Sequence, residues 1–353
     1  MSVTISEIAK KVGVNHATVS RVLNGQATAT YRPAIERAKK IRRVAEELGY
    51  RPHVGAQAIV SGRFNCVSLL MSTGRYRSNL PGQLLQSISE SLNTHRLRLD
   101  IAALPDEQLT DPDFMPSVLS QRCSDGLLVN YHAGIPPRMI ENLESAHIPV
   151  VWMNHQRDTD SVCPDDSCAG RDAAKQLLRA GHRRIAYVDL FWRESADAGV
   201  RHYSKQARRD GVREIVESEG GCFEMITDSV RQERYDHFDP IRLALSRPDR
   251  PTGLVCYSEI EARVVEQVAA EMGLRLPNQL SIIGFGDDEE LSDPRLRRNT
   301  MVVNQRKIGQ AAVSMLLRKI DSPSKPLPSV SVSLKYLAGG SLCPIYPKSQ
   351  CNS

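Results

Sequence analysis

The chain lacks most of what would mark a membrane protein, a disulfide-built protein or a common enzyme. No apolar run approaches the ~18 residues needed to span a bilayer. The eight cysteines (66, 123, 163, 168, 222, 256, 343 and 351) are scattered, with no Cys-x-x-Cys pair and no metal-like grouping with histidine. Neither a disulfide framework nor a metal site is expected, and no cofactor. A Gly-x-x-x-x-Gly-Lys phosphate loop, a Gly-x-Ser-x-Gly elbow and a His-Glu-x-x-His helix are all absent. Gly284-Phe-Gly286 lacks the third glycine of a dinucleotide site. The acidic run 287–290 and the pair Asp165-Asp166 read as carboxylates at a loop or helix start, where the helix dipole favours them. The polar N-terminus shows no signal-peptide pattern. These absences exclude a catalytic reading and point to a cytoplasmic protein without a membrane segment.

What is present is the composition of a soluble globular protein, 41% apolar and 25% charged, over 353 residues. That length exceeds what one core usually holds, so two or more domains are expected. Charge is unevenly spread. Residues 1–63 hold eleven Lys and Arg against four Glu, a net +7 in a chain of net +5, which leaves −2 for the remainder. A small basic head on a slightly acidic body is the electrostatic footprint of a nucleic-acid binder.

The head carries the clearest motif. Thr4 followed by Glu7 forms a capping box. Ile5, Ile8, Ala9 and Val12 then share one helical face. Gly13 ends that helix, Asn15 caps a second, and Val19 and Val22 point inward. Ala9 is small where two helices must cross, Gly13 permits the turn, and Val19 locks the second helix onto the first. That is the helix-turn-helix spacing. The second helix would present His16, Ala17 and Arg21 to base edges in the major groove. Arg21 can make a bidentate contact to guanine, worth ~1–3 kcal/mol of discrimination. Thr4, Thr18, Ser20 and Asn24 suit phosphate oxygens, which fix register on the duplex, and Asn15 joins the expected DNA-binding set. A third helix through Leu48 repeats Ala34, Ala38, Ile41, Ala45 and Leu48 on one face, and Gly49 ends it.

Val-Asn-His-Ala-Thr-Val-Ser-Arg-Val-Leu-Asn-Gly (14–25), with Glu-Glu-Leu-Gly-Tyr-Arg-Pro (46–52), closely resembles the start of the lactose-repressor (LacI) family of bacterial transcription regulators. Against that family the span from Asn24 to Tyr50 is about four residues longer, roughly one helical turn. The surplus belongs to an extra turn near residues 31–34 or to an enlarged loop. Arg51-Pro52 breaks the chain, and residues 53–62 form a linker. The resemblance implies that this linker becomes a helix on DNA and that two copies from a homodimer press apolar side chains into the minor groove. Ile59 stands at the wedge position and Ala56 is small enough for close approach. Tyr50 and His53, flanking the break, join the expected DNA-binding set.

From Phe64 the texture changes to short apolar runs alternating with amphipathic helices. Strands are predicted over 65–72, 97–103, 125–130, 148–153, 184–190, 222–227, 252–257 and 280–285. Helices are predicted near 81–95, 135–145, 167–180, 204–218, 260–273 and 305–319. Continuous apolar strands separated by helices indicate parallel sheets covered on both faces. The expected architecture is an all-α helix-turn-helix head (1–50), a hinge (51–62), a two-lobed α/β effector and dimerisation domain like the periplasmic binding proteins (63–340), and a tail (341–353). The chain is expected to cross between lobes near 155–163 and 288–296.

Such sheets bind ligands beyond the carboxyl ends of their strands. The resemblance implies an effector cleft in which Arg208 contacts hydroxyls or carboxylates through its planar donor fork. Asn154, Ser204, Ser258 and Asp287 stand at further effector positions, and Trp192 either stacks on a sugar ring or packs on the surface. Asn154 replaces a family Asp, Ser258-Glu259 replaces Asn-Asp, and Gly286 replaces the first carboxylate of an Asp pair. The implied function is a repressor whose affinity for double-stranded operator DNA is modulated by a small-molecule effector, a sugar or sugar derivative. The alternative is a cytoplasmic sugar-binding or sensing module that does not read an operator.

Overall fold

The structure is a computed structural model that describes residues 3–24, 31–51, 58, 62–74, 77–111, 113–121, 123–231, 234–287 and 298–345. It divides into two compact units, residues up to 66 with 123–125, and the rest of the chain.

The first unit contains three helices, α1 (Ile5–Val12), α2 (His16–Leu23) and α3 (Arg32–Glu47). The capping box forms as the sequence requires: Glu7 N donates to Thr4 Oγ1 at 3.3 Å, and Thr4 N donates to Glu7 Oε2 at 2.7 Å. Gly13 closes α1 in the left-handed region at φ 76°, and Asn15 Oδ1 caps α2 by accepting from Ala17 N at 2.8 Å. Ile8, Ala9, Val12, Val19, Val22, Ala38, Ile41, Val44 and Ala45 make the core. Each large aliphatic side chain buried in this way contributes roughly 1.5–3 kcal/mol. Helix α3 starts at Arg32 with Pro33 in its first turn, so residues 32–34 are helical. That first turn contributes nothing buried: Tyr31 and Ile35 are exposed.

The second unit holds two parallel sheets. In lobe 1 the strand order is β13-β5-β4-β3-β1-β2, built from β1 (Cys66–Ser72), β2 (Arg98–Leu104), β3 (Gly126–Asn130), β4 (Val150–Met153), β5 (Ser161–Pro164) and β13 (Val330–Val332). In lobe 2 the order is β14-β12-β11-β10-β6-β7, built from β6 (Arg184–Asp189), β7 (Cys222–Thr227), β10 (Gly253–Cys256), β11 (Ser281–Gly286), β12 (Asn299–Val302) and β14 (Lys335–Leu337). β14 runs antiparallel to β12. A separate hairpin pairs β8 (Ser229–Arg231) with β9 (Arg234–Asp236). All eight predicted strands and all six predicted helices are found within a few residues. The expectation missed the short elements β5, β8, β9 and β12 to β14, whose three or four residues carry too little pattern to register.

Apolar side chains line both faces of each sheet, as parallel strands require. Helices α4 (Gly82–Thr94) and α12 (Gln305–Asp321) cover one face of lobe 1, and α6 (Pro137–Ser145) covers the other. In lobe 2, α7 (Asp166–Arg179) and α9 (Tyr203–Ser218) cover one face, with α10 (Asp239–Ser246) and α11 (Glu259–Glu271) on the other. Short helices α5 (Ser117–Ser120) and α8 (Trp192–Asp197) sit in connecting segments. Among the described residues no helix is long and apolar enough to cross a membrane.

The chain passes between the lobes three times, at 164–166, 302–305 and 332–335. This corrects the expected two crossings. Residues 161–164 form β5 and stay in lobe 1, so the first passage falls later, while 288–296 lie outside the described residues. Residues 341–345, expected as a tail, pack onto lobe 2. Ser341 O accepts from Ile282 N at 2.8 Å, and Ile345 N donates to Ala180 O at 2.7 Å.

Helices α7 and α9 cross backbone to backbone at Gly170 and Gly211. A Cβ at Gly211 would fall onto Ser167 O, and one at Gly170 onto Arg208 O. We expect Gly211→Ala to destabilise the chain by ~1–3 kcal/mol through forced separation of the helices. Gly82→Ala, at a helix start with open space around the glycine, should be neutral or stabilising by up to ~1 kcal/mol. Urea unfolding of the two variants checks the contrast.

Candidate functional site

In the head, the exposed side of α2 carries Asn15, His16, Ala17 and Arg21, with Thr18, Ser20 and Asn24 half-buried beside them and Thr4 exposed at the start of α1. This surface exists because Val19 and Val22 are spent on the core, which turns the intervening residues outward. Arg21 Nε reaches back to Ala17 O at 3.4 Å, and Asn24 Nδ2 donates to Ser20 Oγ at 3.2 Å. Tyr50 packs half-buried against the head core. His53, Ala56 and Ile59 lie outside the described residues.

In the second unit a cleft of about 530 Å³ opens between the lobes at the carboxyl ends of their strands. Lobe 1 lines it with Asn79, Asn130, His132, Met153, Asn154 and Pro164, and with Gln305 and Ile308 of α12. Lobe 2 supplies Phe191, Glu194, His202, Ser204, Lys205, Arg208, Tyr257, Ser258, Glu259, Glu261, Phe285 and Asp287. Five of the six expected effector residues, Asn154, Ser204, Arg208, Ser258 and Asp287, line this one cleft. Trp192 does not. Arg201 lies 4.2 Å and Arg209 4.8 Å from the centre of its ring, and it borders a separate surface hollow. Trp192 therefore packs on the surface of lobe 2, outside the cleft, and does not stack on a ligand there.

Arg208 is fixed from three directions. Its Nε donates to Asp166 Oδ1 at 2.7 Å, its Nη1 donates to Tyr257 O at 2.9 Å, and the guanidinium lies over Phe285 at 4.2 Å. Burial works against the charge, but the Asp166 carboxylate beside it holds Arg208 above its usual range. Nη2 has no partner among the described residues. Asp166 is therefore more than a helix-start acid. Asp165 does cap α7, accepting from Cys168 N at 3.1 Å, whereas Asp166 is buried as the partner of Arg208.

The sequence reading missed a second buried pair, Lys205 Nζ on Asp189 Oδ1 at 2.5 Å, with the ammonium 4.2 Å from the centre of the Tyr257 ring. Burial raises the Asp189 carboxyl despite Lys205. It missed Glu261 too, which is buried, accepts from Ser258 Oγ, and is also raised by burial. Glu259, beside Ser258, is bound by Arg298. Asp287 Oδ1 accepts from Gln305 Nε2 at 2.7 Å. Among the described residues, no group of three or more His, Cys, Asp or Glu could hold a metal ion.

A relay of neutral groups joins the lobes. His202 Nε2 donates to Asn154 O at 2.9 Å, since a carbonyl can only accept. Its Nδ1 therefore accepts from Ser204 Oγ at 2.6 Å, and Ser204 Oγ in turn accepts from Tyr257 OH at 3.0 Å. Asn154 takes a left-handed conformation at φ 53°, which Asn tolerates. His132 of lobe 1 meets the His202 ring edge-on at 5.6 Å. Burial pushes His202 down to about 4 and His132 down to about 3, with the neighbouring imidazole adding to the latter.

A helix-turn-helix head on a body of two parallel sheets with a cleft between them defines a DNA-binding regulator with an effector-binding domain. Residues 4–53 match the model of the bacterial regulatory proteins of the lacI family, and residues 174–342 match the periplasmic binding protein-like domain. The HTH-type transcriptional regulator DegA of Bacillus subtilis is 28% identical over 294 residues, which is 81% of this chain and 82% of that protein. The lac repressor dimer bound to operator and the anti-inducer ONPF superposes with a TM-score of 0.74 at 19% identity, covering 97% of this chain and 100% of that one. The transcriptional regulator CelR in its cellobiose complex gives a TM-score of 0.61 at 19% identity, covering 96% and 99%. The chain thus carries a lacI-family head and a periplasmic binding protein-like domain, and is similar to lacI-type regulators over most of its length.

The depressed histidines predict a pH dependence of stability. A histidine whose folded pKa lies below its unfolded value of 6.5 binds a proton more readily once unfolded. His202 and His132 therefore each lower stability as pH falls from about 6.5 through their folded values, with a slope of up to ~1.4 kcal/mol per pH unit apiece. Urea unfolding between pH 7 and 4.5 should show this loss, and His202→Gln should reduce its slope. An unchanged slope in that variant would contradict a buried neutral His202.

Proposed function

We propose that the chain acts in the cytoplasm as a dimeric repressor, with a DNA-reading head over 1–50, a hinge over 51–62 and an effector domain over 63–340. It is not an enzyme in this reading. Two heads read half-sites of a near-palindromic operator about one helical turn apart. His16, Ala17 and Arg21 read bases; Thr4, Asn15, Thr18, Ser20 and Asn24 hold the backbone, joined by Tyr50 and His53. Ala56 and Ile59 form the minor-groove wedge. A sugar or sugar derivative binds Asn154, Ser204, Arg208, Ser258 and Asp287, shifts the lobe-closure equilibrium and so changes how well the hinges meet on DNA. The observation that carries this reading is one chain with both an exposed polar face on α2 and a cleft walled by two lobes. Further support comes from two similar structures, one a dimer on operator and the other a cellobiose complex.

Selection of random duplex DNA by the full-length protein at near-physiological salt should enrich a palindrome. Arg21→Ala should then lose ~1–3 kcal/mol at that site, about 5- to 150-fold, and relax specificity at one base pair of each half-site. If binding fades uniformly over all sequences as salt rises, the head attracts DNA by charge alone and the operator reading fails.

A further inference from the structure

Among the described residues, the ionised groups of the cleft all come from one wall. Lobe 1 contributes neutral amides, His132 and apolar surface, while lobe 2 contributes two cations and four carboxylates. Both cations are already neutralised, Arg208 by Asp166 and Lys205 by Asp189. One carboxylate, Glu259, is neutralised by Arg298, which also holds Glu266. The other three have no Lys or Arg within ion-pair distance among the described residues. Glu194 has only His237 Nε2 at 3.4 Å, Glu261 a serine hydroxyl, and Asp287 an amide.

The buried layer behind this wall is out of balance in the same direction. Asp189 Oδ2 and Asp166 Oδ2 are buried without a hydrogen-bond partner. These two oxygens do not line the cleft, but they add negative charge directly behind its wall. Glu261 is buried at the cleft wall and accepts from the Ser258 hydroxyl, with no Lys or Arg paired to it among the described residues. An anionic ligand would meet a wall whose positive charges are spent. A neutral polyol would find acceptors but leave the excess negative charge standing.

We propose that the effector of this cleft carries a protonated amine beside hydroxyl groups, an amino sugar in chemical class, with the ammonium balancing the lobe-2 carboxylates Glu261, Asp287 and Glu194. Sugar acids and sugar phosphates are excluded by the same charges. Arg208 Nη2 and the lobe-1 amides serve the hydroxyls. This rests on the cleft being the effector site.

The test is a panel of hexoses and pentoses, each in its parent, amino, uronic acid and phosphate form, screened against the full-length protein by thermal shift and then calorimetry. The expected result is that the tightest binder is an amino form, at least tenfold tighter than its parent. Glu261→Gln and, separately, Asp287→Asn should each cut the amino form's preference over its parent about tenfold. A loss in either variant alone still supports the charge assignment. A tightest binder that is neutral or anionic, or an amino form indifferent to both substitutions, overturns it. If no compound of any class binds, the effector-cleft reading itself fails and the inference falls with it.

Discussion

The buried ion pair between Asp166 and Arg208 is the constraint on which the binding half of the molecule depends. It forms where α7 and α9 touch at Gly170 and Gly211, a contact that side chains at either position would prevent. One guanidinium then ties four elements together: α7 through Asp166, its own helix α9, β10 through the carbonyl of Tyr257, and β11 through the ring of Phe285. A buried pair of this kind gains little over well-packed apolar residues, but breaking it costs several kcal/mol because a charge is left behind. Its use is positional. It holds the cleft's arginine in one pose before any ligand arrives, which reduces the ordering cost of binding.

A neutral relay complements this charged anchor. Tyr257, Ser204, His202 and Asn154 O form a hydrogen-bond chain from the floor of lobe 2 to the end of β4 in lobe 1. It works only while His202 is neutral, and burial ensures that. Any change in the angle between the lobes must pay for stretching these bonds or exchange them for bonds to ligand and water. A ligand that contacts both walls thus has differential affinity for the open and closed forms, which is the condition for it to shift their populations.

The head was legible almost residue by residue, because capping and helix periodicity are local: Thr4, Glu7, Gly13, Asn15 and Val19 all act within a few positions of themselves. The long strands and helices of the body were legible for the same reason. What was not legible is long-range. Asp166 looks like any acid at a helix start until α9 brings Arg208 against it. Lys205 and Glu261 sit at helix positions that read as solvent-facing, and nothing local announces that Asp189 will bury one of them. Asp189 itself, a charge ending the apolar run of β6, was the one available signal. Trp192 could not be settled because sequence shows that an aromatic lies near a strand end, not that it packs beside two arginines of its own lobe, outside the cleft.

If one chain couples a DNA-reading face to a ligand cleft, the coupling between the two binding sites must be reciprocal. The most direct measurement is a closed cycle on the full-length protein. Operator affinity is taken with and without saturating cleft ligand, and ligand affinity with and without saturating operator. Both affinities should change, and by the same factor, ~5- to 150-fold for a typical coupling. Operator affinity that stays constant as the cleft fills would contradict it.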